Sequence, residues 1–397
     1  MKKTSSPSRR ESAASTRVEE AAPARPRIAL FAFELFGEPR SPLAFATLLA
    51  AALERSGLVV HLFSNKPASY PRTHVIASSE PSSAPVAQAR ALCAAAAEHV
   101  GHVAQQDGPF VACHAFQWSS VPAVLSAARH GGARSLVTFL DTVFSRHGQV
   151  NGEPDVAQVR RLEQVAVERC DEVLASSEPI RQELAWLYSL ESARVVAAEP
   201  MEPFPTGDDI IPASAHRLAF LGSWDAAGGS DLFLETLRIL AADNPAWRFA
   251  VSGDSVPRAR LEADLRRRGQ SELIERIESG PNAAAILVPG TIALVPSRQA
   301  LSLAPVLTAW RSGCPAIVSR TGPYHAIDED VNGFCTLPSA TAMAEVARKI
   351  ALNPELVHAR GAAGRRKFEK QFTWSSVVHT MNGLYRELPR AETNVHD

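Results

Sequence analysis

The segment Pro296–Ser319, PSRQALSLAPVLTAWRSGCPAIVS, carries a whole structural unit. Its Pro-Ser pair ends an apolar run, IALVPS, of strand character. Leu303, Val306, Leu307 and Trp310 then recur at i, i+3, i+4 and i+7, the inner stripe of an amphipathic helix. Ser302 is placed to cap that helix. Pro305 falls in its first turn, where a missing N–H costs little, and Gly313 suits the left-handed position just past its end. The β-branched run AIVS follows as a second strand. Strand, helix and strand at this spacing imply parallel pairing. In open parallel sheets, ligands settle beyond the carboxyl ends of the strands. The first-turn N–H groups near Leu303 and Ala304 face that crevice, where a helix N-terminus favours a phosphate. An ordinary packing unit fits this stretch alone equally well.

The same alternation extends both ways. Upstream, RLAFLGS reads as a strand, SDLFLETLRILAAD as a helix and WRFAVSGD as a strand. Further back, RIALFAF, VVHLFS, PFVACHA, SLVTFL and DEVLAS read as buried strands, and Leu43–Arg55 has helical spacing. Between the two series lies EPMEPFPTGDDIIPASAH, residues 199–216, whose four prolines and Gly-Asp-Asp turn mark a linker. Two doubly wound α/β domains in tandem, with a cleft between them, follow from this pattern.

The 397-residue length suits about 2–3 domains. A formal net charge of -1 gives no electrostatic reason for nucleic acid or an anionic membrane as partner. Cys93, Cys113, Cys170, Cys314 and Cys335 form no CxxC pair and sit in apolar surroundings, so buried reduced thiols are expected. Residues 1–26 are Ser-, Ala-, Pro- and Arg-rich and read as a disordered tail without a signal-peptide core. No run approaches the roughly 18 apolar residues of a membrane span. A cytoplasmic location is expected. The DED triplet at 328–330 precedes an Asn-Gly turn signal, so no metal and no cofactor are expected.

Several segments resemble the retaining family-4 glycosyltransferases of the GT-B fold. RLAFLGSWDAAGGSDLFLETLRIL is similar to the unit opening their second domain, FAVSGDS to their glycine turn, and IALVPSRQALSLAPVLTAWRSGCPAIVSRTGPYHAIDEDVNGF to their donor-site segment. CDEVLASSEPIRQEL resembles the last strand and helix before the linker, and FTWSSVVHTMNGLYREL the closing helix that crosses back onto the first domain. The resemblance implies a GT-B architecture of two Rossmann-like domains. The expected boundaries are a first, acceptor-side domain at 27–198, a linker at 199–214, a second, donor-side domain at 215–372, the crossing helix at 373–390 and a tail at 391–397. It also implies a nucleotide-sugar donor and a glycan, lipid or small-molecule acceptor. Donor-binding candidates are Gly222, Ser223, Gly253, Arg298, Ser302, Leu303, Ala304 and Thr308. Acceptor-side candidates are His114, Asp141, Arg146 and His147 at strand ends. A core role fits His114 equally well, and a plain polar loop fits the other three.

The charged positions of that family are replaced here. Leu140 stands where a histidine is usual, Ser223 and Ala227 or Gly228 where an arginine and a lysine grip the diphosphate, and Ala300 and Thr308 where two glutamates stand. GEPRSPL replaces the early glycine-rich loop. An apolar, hydroxyl-lined donor pocket near Ser223, Gly253, Ser302 and Thr308 is therefore expected, with Arg298, Arg311 and Arg320 as substitute cations. Two functions remain open: sugar transfer, or a catalytically degenerate subunit that binds or regulates an active glycosyltransferase.

Overall fold

The structure is a computed structural model describing residues 25–35, 41–77, 84–147, 154–197, 199–203, 216–253, 258–267, 271–279, 285–288, 290–299 and 302–387. Most of the expected tails, the bulk of the linker, and Ala300 lie outside the described residues.

The first sheet contains β1 (Arg27–Ala32), β2 (Val59–Ser64), β3 (Thr73–Val75), β4 (Ala112–Phe116), β5 (Arg134–Phe139), β6 (Glu172–Ala175) and β7 (Arg194–Val195). Their order is β3-β2-β1-β4-β5-β6-β7, paired in parallel. Helices α1 (Pro42–Arg55), α2 (Pro85–Asp107), α3 (Val121–Gly131), α4 (Val143–His147), α5 (Pro154–Arg169) and α6 (Glu178–Tyr188) supply the crossovers. The second sheet contains β8 (Arg217–Leu221), β9 (Arg248–Gly253), β10 (Ile274–Ser279), β11 (Ile292–Val295), β12 (Ala316–Ser319) and β13 (Gly333–Thr336). Its order is β10-β9-β8-β11-β12-β13, also parallel. Helices α7 (Ser230–Asp243), α8 (Arg258–Arg267), α9 (Ala304–Arg311), α10 (Ala340–Ala351), α11 (Pro354–Gln371) and α12 (Trp374–Arg386) complete the chain. The expected pair of Rossmann-like parallel α/β domains is what the structure has.

Both sheets are covered on both faces, which is why their strands read as unbroken apolar runs. In β1, Ala29 and Phe31 point into one core, while Ile28, Leu30 and Ala32 point into the other. In β8, Leu218 and Phe220 alternate with Ala219 and Leu221 in the same way.

Helix α12 follows the second domain in sequence but buries its apolar stripe in the first. Val377, Met381, Leu384 and Tyr385 join the core formed with β1 and α1, and Trp374 stacks on Phe45 at 6.1 Å. A reciprocal Thr373–Ser376 capping box starts the helix. Just before it, Met201 N donates to Phe372 O at 2.9 Å, so the two crossing segments run side by side.

Helix α9 is seated by close backbone contact with α11. A Cβ at Gly361 would lie 1.9 Å from Gly313 O, so only glycine permits that approach. That contact anchors the C-terminal end of α9, whose first turn follows β11, the strand beside the switch point between β8 and β11.

Candidate functional site

A cavity of about 750 Å³ lies between the domains. Leu140 and Asp141 beyond β5, Ser145 on α4, and Glu178, Ile180 and Glu183 on α6 form its first-domain wall. Ser302, Leu303 and Leu307 around α9, with His325, Lys367 and Phe372, form the opposite wall, and Glu199 lies where the two meet.

Of the residues expected around an apolar, hydroxyl-lined pocket, Ser302 lines this cavity and Ser223, Gly253 and Thr308 do not, and carboxylates stand among the apolar and hydroxyl groups. Asp141, Glu178, Glu183 and Glu199 all line the cavity. Burial raises the Glu183 carboxyl above the usual range, opposed by a hydrogen bond from Thr142 Oγ1. Glu178 is lowered chiefly by its hydrogen bonds from Arg181, with a smaller contribution from His325 across the cleft. Lys367, a cation on this wall, donates to Ala326 O and Asp328 Oδ2, each at 2.8 Å.

Glu199 dominates the start of α9. Its Oε2 accepts from Ser302 Oγ at 2.8 Å and from Leu303 N at 3.2 Å, while Ser302 Oγ accepts from Ala304 N at 3.0 Å. A carboxylate of the chain itself thus answers the N–H groups and the helix dipole that favour an anion there. Leu303, not Ser302 as expected, occupies the N-cap position, and Ser302 Oγ serves the helix start from one residue earlier by accepting from Ala304 N. Thr308 turns its hydroxyl back on its own helix, donating to Ala304 O at 2.7 Å, and does not line the cavity.

The other donor-side candidates serve the loop after β8. Ser223 Oγ and Gly228 N both donate to Asp225, at 2.7 and 2.6 Å, holding its carboxyl below the usual range. Arg298 pairs bidentately with Asp231 at 2.7 and 2.8 Å and donates to Ala226 O at 2.5 Å. It braces this loop against the segment after β11. Gly229, at φ +79°, lies so close to Pro296 that an added Cβ would be 2.3 Å from its carbonyl oxygen. Gly222 N bonds Ser252 O at 3.3 Å, and Gly253 ends β9. Neither they nor Ser223 and Arg298 line the cavity. The proposed substitutes are also engaged: Arg311 donates to Glu202 O at 3.1 Å, and Arg320 lies 3.7 Å from Glu329.

On the acceptor side, Asp141 lines the cavity, whereas His114 does not. His114 is fully buried, with Nδ1 2.8 Å from Tyr385 Oη and Nε2 2.8 Å from Thr138 Oγ1. Desolvation lowers its pKa to about 3. The acceptor reading of His114 is therefore replaced by a core one, a neutral ring tying α12 to β4 and β5. Arg146 and His147 fall in α4, but their side chains lie outside the described residues. Cys93, Cys113, Cys170 and Cys314 are buried, while Cys335 is only half-buried, correcting the expectation for that thiol.

Sequence reasoning missed Glu199, Glu183, Lys367 and the Asp225 turn. Glu199 heads the proline-rich break, and only the fold brings it to Ser302, 103 positions away. Among the described residues, no group of three or more His, Cys, Asp or Glu side chains is arranged to hold a metal, and no helix is long and apolar enough to cross a membrane.

Residues 215–353 match the family model described as Glycosyl transferases group 1. No curated protein matches the chain in sequence. Among solved structures, a glycosyltransferase from Rickettsia africae is similar with a TM-score of 0.65 at 14% identity, covering 92% of this chain and 98% of that one. The HepE protein of Anabaena in complex with UDP gives 0.64 at 12% identity, covering 90% and 99%. Sucrose-phosphate synthase from Thermosynechococcus elongatus gives 0.60 at 20% identity, covering 91% and 98%. The overall fold is GT-B.

Proposed function

We propose that this chain is a protein of the group 1 glycosyltransferase type, built to move a sugar from a nucleotide-sugar donor to a glycan, lipid or small-molecule acceptor in its inter-domain cavity. The supporting observation is the start of α9, which opens onto that cavity within the segment matched by the family model. By the family-4 resemblance, transfer would retain the configuration at the sugar. The buried free thiols suit a reducing, cytoplasmic setting.

The chemistry sets a clear requirement. A departing nucleoside diphosphate develops negative charge, and preorganised donors aimed at it are usually the largest catalytic term. Here the Leu303 amide at the start of α9 meets Glu199, Arg298 is committed to Asp231, and Lys367 is committed to Asp328. Transfer therefore requires Glu199 to leave and Lys367 to be released. Glu199 specifically favours a second reading, in which the frame is catalytically degenerate and serves as a binding or regulatory partner of an active glycosyltransferase.

Calorimetry of the purified chain with UDP-, GDP- and ADP-sugars, paired with a sugar-release assay, separates the two. Micromolar binding with turnover supports the enzyme. Millimolar or absent binding without turnover supports the degenerate partner and overturns transfer by the isolated chain.

A further inference from the structure

Beside the cavity, the first domain carries an aromatic pair that packing does not require. Trp186 is 68% exposed, far more than a core indole. Phe144 meets it edge-on with ring centroids 5.0 Å apart. Phe144 adjoins Ser145, and Trp186 lies three residues beyond Glu183; both Ser145 and Glu183 line the cavity.

The two helices carrying this pair are clamped together. Fully buried Glu163 accepts from Val143 N, the first residue of α4, at 2.9 Å and from Tyr188 Oη, at the end of α6, at 2.5 Å. Thr142 Oγ1 donates to Glu183 on the cavity side. These hydrogen bonds, two of them to one fully buried carboxyl, hold the indole on a fixed carrier. A flat apolar face bordered by a carboxylate and hydroxyls matches the surface of a sugar ring, which is apolar across its C–H face and hydroxylated around its rim.

We infer that the Phe144–Trp186 edge is a saccharide platform, with a sugar ring stacking on Trp186 while its hydroxyls donate to Glu183. This inference rests on the sugar-transfer reading and narrows its acceptor to a glycan. Charge argues against a lipid occupant. Asp141 and Glu183 on the same wall oppose an anionic headgroup, and an acyl chain would desolvate them without hydrogen bonds.

The test is acrylamide quenching of tryptophan fluorescence in the full chain. Trp118, Trp247 and Trp310 are buried, Trp224 and Trp374 are half-buried, and Trp186 is strongly exposed, so the part of the quenching that disappears in Trp186→Phe reports on Trp186. Maltotriose, cellotriose and chitotriose are titrated alongside UDP and phosphatidylcholine–phosphatidylglycerol vesicles. At least one trisaccharide should shield Trp186. Its affinity, followed by calorimetry, should fall about tenfold or more in Trp186→Ala, the scale of a lost aromatic anchor. Trp186→Phe should recover part of that loss, and Glu183→Gln should weaken binding with Trp186 intact.

The inference is overturned if no trisaccharide shields Trp186, if only vesicles or UDP do, or if Trp186→Ala binds unchanged. Donor calorimetry keeps the two claims apart. Trisaccharide binding without nucleotide-sugar binding keeps the platform and removes the transfer reading. Nucleotide-sugar turnover without trisaccharide binding does the reverse.

Discussion

The two domains share one parallel plan and handle charge in opposite ways. The first buries ionisable side chains: His61, His114, Arg134, Asp141, Glu163 and Glu172 are each less than 9% exposed. Among the described residues of the second, the buried polar side chains are all neutral, such as Thr236, Ser252, Thr291 and Asn332. Its charges are paired near the surface instead, Arg298 with Asp231 and Lys367 with Asp328. Where such groups form an ion pair, as Arg134 does with Glu172 at 2.9 Å, each needs the other to remain in place, because losing one leaves an uncompensated charge. A surface pair is worth at most about 1 kcal/mol. The first domain has therefore invested its specificity in the interior, and the second in the loops around its cleft.

Acid should expose this contrast most strongly. Desolvation lowers the pKa of His61 to about 4 and that of His114 to about 3. Both lie in the first domain, where His61 also stacks on His74, 5.3 Å away. Below about pH 6.5 the unfolded chain binds protons that the folded one refuses. Stability is thus fully present above that pH. It should fall by about 1.4 kcal/mol per histidine for each pH unit as the pH drops through 6.5 towards 4. Hydrogen exchange at pH 5 should show β2 and β4 opening before β8 and β11. Opening of the second domain first would break the comparison.

The next effect concerns the second domain's loop. Gly229→Ala adds a Cβ 2.3 Å from Pro296 O at a positive φ, where strain alone costs about 1–3 kcal/mol. Urea unfolding should show at least that loss, confined to the second domain if its transition resolves separately.

Glu199→Gln removes the charge at the α9 start while keeping the shape. UDP affinity measured by calorimetry should rise about tenfold, the scale of one charge-assisted hydrogen bond. An unchanged affinity would mean that Glu199 is only a structural cap. The smallest effect belongs to Arg298→Ala. Its partner Asp231 is exposed, so stability should fall by less than about 1 kcal/mol. UDP affinity should not move if Arg298 is a brace rather than a donor ligand.

The sequence made the fold legible in many of the strands buried on both faces and in several helices with a single apolar stripe, although β10, β13, α10 and α11 were not read from it. Ser230–Asp243 and Val59–Ser64 run as read, because local periodicity already encodes what packs against them. The marginal strands β3 and β7 were not legible. They have only three and two residues, and partly exposed ones, so nothing in their pattern outweighs a loop. The site was legible only in its local part. Ser302, Leu303 and Ala304 follow from the start of α9, whereas Glu199 and Lys367 reach the cavity from distant segments. Arg298 was recognised as a cation, but its commitment to Asp231, 67 positions earlier, is a tertiary fact.

The crossing of α12 also bears on how the chain is made. One face of the first sheet, including Ile28, Leu30 and Phe116, is completed by Met381, Leu384 and Tyr385. At about 5–20 residues per second, the stretch separating β7 from α12 takes roughly 10–40 s to synthesise. During that interval the earlier half of a nascent chain has an apolar face without its cover, and the His114 ring lacks the Tyr385 hydroxyl that will bond it. Completion of the first domain is thus a late event in translation. A ribosome stalled before Trp374 would hold a chain whose second sheet is fully encoded and whose first sheet still lacks its last helix.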